Sequence, residues 1–543
     1  MLDGLMMRTP LMISGLLLHA ARNHGDVEIV SRRIEGDLHR TNYRDLESRA
    51  RKLANALKNL EVREGGRVAT LAWNGYRHME LYFGVSGSGS VLHTINPRLH
   101  VDQITWIANH AEDEALFFDA TFLPLVEELA SKTRTIRHWV LLADREAMPA
   151  SSRIPKLICY EDLVEPQSER FEWPQFDENS AATICCTSGT TGNPKGVVFS
   201  HRSTVLHSLG ASLPDVINLS SRDVILPVVP MFHANAWGLI FAAPMVGAKL
   251  VLPGARLDGK SLHDLFETEK VTLSAGVPSV WQALLAYMKE HRLKFSTMRR
   301  TAIGGSAVPP AMARSFEEEH GVEVLHAWGM TEMSPLGTLC QLKAKHSGFT
   351  LDDRLALKVK QGRTVFGVEL KIVDEKNREL PWDGKSSGEL LARGPWIARD
   401  YFKNDRGGVL RDGWLPTGDV ASIDPDGYVL ITDRSKDMIK SGGEWISSIQ
   451  IENIAMSHAQ VAMAACIAVP HPRWDERPLL VVVRKPDAPI QQEELLAYFT
   501  GKVAKWQIPD AVEFVDAIPL GPTGKMLKSR LREQFREYRW AQS

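Results

Sequence analysis

Residues 187–196 (TSGTTGNPKG) form a stretch rich in side chains that can bind an anion. They include three glycines, four hydroxyl side chains and one lysine, with short apolar segments predicted as strands at 181–186 and 197–199. A glycine-rich turn between strands lets backbone N–H groups point at an anion, and the lysine adds positive charge. We predict a phosphate-binding loop; it is not a Walker loop, because Pro194 stands where that motif has glycine. The alternative is a flexible surface loop.

Two further segments follow predicted strands. Residues 304–307 (GGSA) come directly after a predicted strand at 300–303, where ligands of open α/β sheets bind. Residues 326–332 (HAWGMTE) follow a predicted strand at 322–325. Glu332 could hold Mg²⁺ beside phosphates, because Mg²⁺ takes one or two carboxylates and keeps several waters. The alternative interpretations, taking each segment singly, are a simple turn for the first and an exposed acid for Glu332.

Other chemically capable residues are less distinctive on their own. His233 and Trp237 lie in an apolar run, where a core histidine and a core tryptophan are equally good interpretations. Asp419 follows a tight turn, and Lys525 lies on a turn of proline and glycine before a predicted basic helix. Each of these two could also belong to a solvated loop.

Composition restricts the class of protein. The 543 residues are 44% hydrophobic and 24% charged, which is ordinary globular composition, and 64 basic against 66 acidic residues offer no general attraction for nucleic acid or an anionic membrane. Five scattered cysteines without metal-ligand spacing predict reduced thiols in a cytoplasmic protein. Residues 224–248 lack charge, but their prolines favour a buried core over a membrane helix.

The pattern of apolar residues predicts the strands and helices that position these chemically capable residues. Strands and helices alternate from residue 43 to 142 and again from 250 to 303, as in a largely parallel sheet covered by helices. Segments 368–373 and 388–392 predict antiparallel strands, and 424–427 predicts a hairpin turn. Residues 144–180 are rich in proline, serine and acids and predict a surface excursion.

The charged segment 433–440 lacks a core pattern and predicts a hinge. The fold class is therefore α/β, with a large N-terminal domain (1–435) of parallel-rich sheets and helices. A small α+β C-terminal domain (436–543) follows on the hinge, with a predicted helix at 493–505.

In combination, five motifs resemble one family across nearly the whole chain. They are TSGTTGNPKG at 187–196, WGMTE at 328–332, TGD at 417–419, DRSKDMIKSGGEWIS at 433–447, and PTGK ending at Lys525. The chain resembles the adenylate-forming superfamily of acyl-CoA synthetases, with luciferases and peptide-synthetase adenylation domains as more distant relatives. Its MFHANAW and SGGEWIS variants are similar to bacterial medium- and long-chain fatty-acyl ligases, a branch shared with methylthiopropionate-activating ligases.

The resemblance implies an enzyme that uses ATP, Mg²⁺ and coenzyme A. A carboxylic acid attacks the α-phosphate to give acyl-AMP and pyrophosphate, and the thiol of coenzyme A then displaces AMP. The implied substrate is a medium- or long-chain fatty acid, and the alternative is 3-methylthiopropionate. A non-catalytic binding protein should have lost Lys525, Glu332 or the Thr190–Thr191 pair, which this chain retains.

The resemblance also implies residue roles in the nucleotide site. The phosphates would contact the loop residues Thr187, Ser188, Gly189, Thr190, Thr191, Gly192 and Lys195. Mg²⁺ would be held by Thr187 and Glu332. Adenine would lie between Gly305, Ser306 and the strand His326, Ala327, Trp328, Gly329 and Met330. Thr331 would approach the α-phosphate, Asp419 would accept the ribose hydroxyls, and Arg434, Lys440 and Trp445 would complete the nucleotide site.

The remaining implied roles concern the acid, the thiol and the movement between half-reactions. His233 and Trp237 would contact the acyl chain, with Trp237 as a gate beside the apolar residues 239–243. Lys525 would neutralise charge during adenylation, as a compact point charge on a flexible stem. Rotation about Lys436 would withdraw Lys525 and bring in Gly442 and Gly443 beside the pantetheine arm. Relatives are often homodimers, so a homodimer is expected by analogy.

Overall fold

The computed structural model describes residues 1–187, 193–405, 407–434, 436–441, 444–486, 488–521 and 526–540. The predicted site residues Ser188, Gly189, Thr190, Thr191, Gly192, Gly442, Gly443 and Lys525 lie outside the described residues.

The strands fall into four sheets. Those before the middle of the chain are β1 (Glu28–Arg32), β2 (Leu38–Asn42), β3 (Arg67–Leu71), β4 (Val91–Thr94), β5 (Asp113–Phe118), β6 (His138–Leu141), β7 (Ile158–Cys159), β8 (Ala181–Thr187), β9 (Lys195–Ser200), β10 (Val224–Pro227), β11 (Lys249–Leu252), β12 (Leu273–Gly276) and β13 (Arg300–Ile303). The later strands are β14 (Glu323–Gly329), β15 (Leu336–Leu339), β16 (Arg363–Thr364), β17 (Glu369–Val373), β18 (Ser387–Arg393), β19 (Leu415–Ile423), β20 (Val429–Arg434), β21 (Ile439–Ser441), β22 (Glu444–Ile446), β23 (Val461–His471), β24 (Asp475–Arg484) and β25 (Ala511–Phe514).

Helices connect and cover the sheets. They are α1 (Ile13–Asn23), α2 (Tyr43–Asn59), α3 (Tyr76–Gly87), α4 (Val101–Ala111), α5 (Leu123–Leu129), α6 (Tyr160–Val164), α7 (His201–Ser212), α8 (Ala234–Trp237, a left-handed turn), α9 (Leu239–Val246), α10 (Gly259–Thr268), α11 (Pro278–Glu290), α12 (Pro310–Arg314), α13 (Leu351–Lys358), α14 (Ser448–Met456), α15 (Gln492–Tyr498) and α16 (Lys528–Gln534).

Two large sheets, mostly parallel, form the scaffold. The seven-stranded sheet has the order β7-β6-β5-β3-β4-β8-β9, and only its β8–β9 pair is antiparallel. The nine-stranded sheet has the order β16-β15-β14-β13-β12-β10-β11-β1-β2, with antiparallel pairs only at its two ends. All six residues of β5 are buried, as expected where helices cover both faces.

Two smaller sheets follow in sequence. Strands β17 to β20 form an antiparallel sheet that ends at Arg434. The last sheet has the order β22-β21-β24-β23, with β25 added parallel to β24. The chain thus passes from the third sheet to the fourth between Arg434 and Ile439.

Most sequence predictions of elements are confirmed. Helix α2 opens the region 43–142 of predicted alternating strands and helices and buries Leu46, Ala50 and Leu53 on one face. Its N-cap Asn42 accepts a hydrogen bond from the Asp45 amide. Residues 424–427 join β19 to β20 as a hairpin, since Ile423 pairs with Val429.

Two local predictions are wrong. The segment 144–180 is not only a surface excursion, because β7 joins the seven-stranded sheet and Tyr160 is buried, donating a 2.6 Å hydrogen bond to Glu80. The helix predicted at 493–505 ends at Tyr498. The segment 433–440, predicted as a hinge, holds the end of β20 and the start of β21.

The uncharged segment 224–248 folds into β10, the left-handed turn and α9. Residues Leu239, Ile240 and Phe241 are almost completely buried in the main core. Within the described ranges, no helix has the length and apolar character needed to cross a membrane.

Candidate active site

Strand β8, which leads into the predicted phosphate loop, lies against the turn that carries Glu332. Strand β8 ends at Thr187, which pairs with Lys195 at the start of β9, so the two strands on either side of the predicted loop are antiparallel neighbours. Strand β14 leads into a 3₁₀ turn, Thr331–Met333, and this turn packs against β8. The fold therefore brings together two segments that are about 140 residues apart in the sequence.

Glu332 is buried, and its side chain is held by a tyrosine. Only 6% of Glu332 is exposed, and the Tyr401 hydroxyl donates a 2.7 Å hydrogen bond to its Oε1. The Lys195 ammonium lies 4.7 Å from the centroid of the Tyr401 ring, a cation–π distance. Burial and the neighbouring Glu332 charge raise the pKa of the Tyr401 phenol above its ordinary value, so the phenol remains a donor.

Sequence reasoning missed Tyr401. It lies in an irregular segment between β18 and β19 with no motif around it that indicates chemistry. Only its contacts with Glu332 and Lys195, which the tertiary structure creates, mark it as part of the site.

Asp419 is the centre of a second group. It is 3% exposed on β19, directly opposite Arg434 on β20. The Arg434 Nε lies 2.7 Å from its Oδ1, and the Trp328 indole N–H donates a 2.8 Å hydrogen bond to its Oδ2. Three sequence-predicted residues from distant segments thus meet, and together they orient one carboxylate.

At the end of β14, the neighbouring backbone leaves no space for a side chain. A Cβ on Gly329 would lie 1.9 Å from the Pro335 carbonyl oxygen, so no other residue fits there. At the end of β13, Gly305 has a φ of +81°, a conformation that favours glycine. Glycine is therefore required at both positions, at Gly329 by the close backbone of Pro335 and at Gly305 by its φ.

His326 would contribute its backbone, but not its ring, to the nucleotide edge predicted at the ends of β13 and β14. The ring is fully buried, and its Nδ1 lies 3.1 Å from the Lys358 carbonyl oxygen. Burial lowers the pKa of His326 to about 4, so the imidazole is neutral near pH 7. A nucleotide at this edge would therefore meet only the main chain of His326.

Trp237 ends an unusual left-handed turn. Residues Ala234, Asn235, Ala236 and Trp237 all have φ between 43° and 57°. Each non-glycine residue in this conformation costs about 1–2 kcal/mol, so the turn must be stabilised by its surroundings. The Asn235 side chain contributes by donating a 3.3 Å hydrogen bond to Thr183 Oγ1.

The indole of Trp237 lies next to the predicted nucleotide edge. Its Cη2 is 3.4 Å from the position of a Cβ on Gly304. His233, two residues before Asn235, is partly exposed at the start of the turn. The predicted alkyl neighbourhood at 239–243 is largely core, since α9 is buried against the rest of the domain.

The remaining predicted residues lie in the last sheet. Lys440 and Trp445 are cross-strand partners on β21 and β22, with the ammonium 6.0 Å from the indole ring. Lys436 is exposed in the turn that connects β20 to β21. Among described residues, no hydrogen bond or ion pair joins these three to Asp419 or Glu332.

Comparison with known proteins gives the family. The model of the AMP-binding enzyme family matches residues 17–402, and that of the AMP-binding enzyme C-terminal domain matches 450–525. A 3-methylmercaptopropionyl-CoA ligase of Ruegeria lacuscaerulensis is 52% identical over 98% of this chain and 99% of its own. A medium-chain-fatty-acid–CoA ligase of Ectopseudomonas oleovorans is also 52% identical, over 98% and 97%.

A solved structure supports the same family. An anthranilate CoA ligase in complex with anthranoyl-AMP aligns with a TM-score of 0.85 and 26% identity, covering 97% of this chain and 98% of its own. The chain therefore belongs to the family of AMP-binding enzymes, and it has the adenylate-forming fold. Within that family it is an AMP-forming acyl-CoA ligase, which uses ATP, Mg²⁺ and coenzyme A.

Proposed function

We propose that this ligase activates a medium- or long-chain fatty acid in two steps. A carboxylate oxygen attacks the α-phosphorus of ATP, the bond to the β-phosphate oxygen breaks, and pyrophosphate leaves. The sulfur of coenzyme A then attacks the acyl carbon, and AMP leaves as its C–O bond breaks. Neither step needs a nucleophile from the protein, so positioning and charge neutralisation are the expected sources of catalysis.

The hydrogen-bonded group of Asp419, Trp328 and Arg434 is the observation that best supports a nucleotide-binding site. The Asp419 carboxylate is oriented by Trp328 and Arg434 but retains lone pairs that can accept ribose hydroxyls. We assign the ribose to Asp419, adenine to the edge formed by Gly305, Ser306, Ala327, Gly329 and Met330, and the α-phosphate to Thr331. Arg434 acts through Asp419, and Lys440 and Trp445 would join the site only after the C-terminal part moves.

The surroundings of Glu332 fit a divalent cation. Its carboxylate is buried, and within the described ranges no lysine, arginine or histidine lies in salt-bridge distance. A buried carboxylate without a cation is costly, and Mg²⁺ prefers such oxygen ligands. Glu332 and the Thr187 hydroxyl would hold Mg²⁺, which supplies charge neutralisation for the departing pyrophosphate. Lys195 and the loop 188–192 would contact its phosphates.

Lys525 remains the proposed adenylation residue, and Lys436 the proposed hinge, with Gly442 and Gly443 beside the pantetheine arm. Two facts support a boundary between 435 and 436: the third sheet ends at Arg434, and the fourth begins at Ile439. The five free cysteines agree with a cytoplasmic location. Homodimer formation stays a prediction, which light scattering can test.

The acid itself has two candidates. The medium-chain ligase relative supports a fatty acid, and the equally similar 3-methylmercaptopropionyl-CoA ligase supports a short thioether acid. Each methylene contributes only about 0.8 kcal/mol of burial, so a few side chains near Trp237 and His233 could change the optimum.

Pyrophosphate release should be measured across straight-chain acids from C3 to C18 and with 3-methylthiopropionate. We expect the highest kcat/KM at C6 or longer. A maximum at 3-methylthiopropionate with no activity beyond hexanoate would replace the fatty-acid proposal by its alternative. No release with any acid would contradict the adenylation mechanism.

A further inference from the structure

Residues 398–402, which we call the strap, cross the site between β18 and β19. The Ala398 amide donates a 2.7 Å hydrogen bond to the Glu332 carbonyl oxygen, and the Phe402 amide donates a 2.8 Å bond to the Gly196 carbonyl oxygen. The strap therefore joins the Glu332 turn to strand β9, which carries Lys195. The connection between β18 and β19 of the third sheet thus holds the Glu332 turn, which follows β14 of the nine-stranded sheet, and strand β9 of the seven-stranded sheet.

Tyr401 of the strap lies between the two charged groups, Glu332 and Lys195. Its ring packs against the buried residues Cys185, Val197 and Phe199 of the β8–β9 hairpin, which fixes its position. From there its hydroxyl reaches Glu332, and the face of its ring receives the Lys195 ammonium. One side chain therefore contacts both the carboxylate and the lysine of the phosphate end of the site.

Glu332 depends on this contact for its orientation. Across the described part of the chain, the Tyr401 hydroxyl is the one hydrogen-bond donor to the Glu332 carboxylate, and no basic side chain pairs with it. A buried carboxylate held by one short bond keeps a defined direction only while that bond exists.

We propose that Tyr401 is a positioning residue for adenylation. Its hydroxyl directs the Glu332 carboxylate toward the divalent cation of the nucleotide, and its ring seats the Lys195 ammonium beside the phosphates. This inference rests on the proposed function and adds a residue to it. Tyr401 acts through Glu332 and Lys195 and does not itself touch the reacting atoms.

Two substitutions separate the hydroxyl from the ring. Tyr401→Phe keeps the packing and the face beneath Lys195 but removes the donor, whereas Tyr401→Leu removes both. Tyr428→Phe is the matched control, because its hydroxyl donates a 2.8 Å bond to the Gln341 carbonyl oxygen and Lys343 lies 5.9 Å from its ring. That tyrosine contacts neither Glu332 nor Asp419 in the described structure.

The two half-reactions should respond differently. Loss of a hydrogen bond to a charged group corresponds to roughly 10- to 100-fold, so Tyr401→Phe should lower kcat/KM for acid-dependent pyrophosphate release by that factor. It should also raise the Mg²⁺ concentration for half-maximal rate. Thioester formation from supplied acyl-AMP should change less than about twofold, because that step involves no pyrophosphate. Tyr401→Leu should additionally raise the KM for ATP.

A binding measurement makes the test independent of turnover. Mn²⁺ replaces Mg²⁺, and electron paramagnetic resonance measures the Mn²⁺ bound by enzyme and ATP without acid. Tyr401→Phe should bind Mn²⁺ more weakly than the wild type, and Tyr428→Phe should not. In a Glu332→Gln background, Tyr401→Phe should add no further loss, because the hydroxyl acts through the carboxylate.

The Mn²⁺ affinities and the rates of the two half-reactions decide whether Tyr401 has this positioning role. Equal Mn²⁺ affinity in Tyr401→Phe and the wild type, or equal losses in both half-reactions, would overturn the inference. If Tyr401→Phe folds poorly, the cycle is repeated with Tyr401→Trp, which keeps an aromatic face and lacks the hydroxyl. If the wild type binds Mn²⁺ as described but releases no pyrophosphate with any acid, the proposed function fails while the positioning role is still decided by the Mn²⁺ comparison.

Discussion

Asp419 illustrates how single residues assemble the proposed nucleotide site. Its two oxygens each have a partner of a different kind, an indole N–H on Oδ2 and a guanidinium on Oδ1. The Arg434 contact follows from direct pairing of β19 and β20, whereas the Trp328 contact joins the third sheet to the nine-stranded sheet. The orientation of this carboxylate therefore depends on the docking of two sheets.

Trp328→Phe tests this dependence. The variant keeps an aromatic ring and removes the hydrogen bond to Asp419 Oδ2, so AMP should bind roughly tenfold more weakly in isothermal titration calorimetry. Trp540→Phe is the control, because it removes a 2.8 Å indole bond to the Pro470 carbonyl oxygen in the C-terminal part. Unchanged AMP affinity in Trp328→Phe would show that Arg434 alone orients Asp419.

His207 predicts a pH dependence of stability. Its buried Nε2 accepts a 3.2 Å hydrogen bond from the Leu336 amide, which requires a neutral ring, and burial lowers its pKa to about 4. Between about pH 6.5 and 4 the unfolded chain binds a proton that the folded chain does not. Stability should therefore fall as pH falls, by at most about 1.4 kcal/mol per pH unit for this group.

Urea unfolding midpoints at pH 7.5, 6.0 and 5.0 measure this effect. The loss between pH 7.5 and 5.0 should be smaller in His207→Gln than in the wild type. The exposed His291→Gln serves as control. An identical acid dependence in His207→Gln and the wild type would mean that other buried histidines account for it.

At the scale of elements, periodicity predicts strands and helices, while side-chain partners depend on docking. Glu332 can be proposed from the sequence because it follows a strand and a glycine, a local pattern. Tyr401 cannot, because its contact spans 69 residues and arises only when the strap crosses β9. The ring of His326 turned inward because Lys358, at the end of α13, offers its carbonyl there. The β7–α6 segment was missed because two residues of strand give no periodicity.

Helix α16 is held to the C-terminal part by a buried ion pair. The Lys528 ammonium lies 2.7 Å from Glu452 Oε1 and donates a 2.6 Å bond to Ser448 Oγ, and both charged residues are less than 10% exposed. Ser448 also donates to Asp433 at the end of β20. The pair thus connects α16, α14 and the segment before the proposed hinge.

Lys528→Met should destabilise this region by about 3–5 kcal/mol, because it leaves a buried carboxylate without its cation. The loss should be limited by protonation of Glu452, whose pKa burial raises to about 7. Hydrogen exchange of α14 and β23 should therefore accelerate, and more so at pH 8 than at pH 6. Lys528→Met/Glu452→Gln should recover most protection, since glutamine can still accept from the Cys466 amide. Equal exchange in Lys528→Met and the exposed control Lys505→Met would contradict the argument.

At the scale of the whole molecule, the connection between the third and fourth sheets is short, and hydrogen bonds hold part of it in place. The amides of Asp437 and Met438 donate to the Arg434 carbonyl oxygen at 2.9 and 3.0 Å, which forms a turn around Lys436. The Ser448 amide donates to Asp433 at 2.5 Å, so the start of α14 is fastened to the end of β20. A rotation of the last sheet relative to the first three about residues 434–439 would therefore have to break the Ser448–Asp433 bonds.

Lys436→Pro tests whether that rotation separates the half-reactions. Proline fixes φ near −65° and restricts the preceding residue, so the turn loses the freedom a rotation requires. We expect nearly normal pyrophosphate release but thioester formation from supplied acyl-AMP lowered by roughly 10²-fold or more, the cost of misplaced reactants. Lys525→Ala should show the opposite, a loss of roughly 10²–10³-fold in pyrophosphate release with thioester formation retained.

Lys436→Ala is the control for Lys436→Pro, since it changes the side chain and leaves the backbone free. A proline at another loop lysine, Lys403, would be no control, because Lys403 has a φ of +49°, which proline cannot adopt. Normal thioester formation in Lys436→Pro would place the pivot elsewhere in 434–439. A loss as large in Lys436→Ala as in Lys436→Pro would assign the effect to the ammonium group and not to backbone rotation.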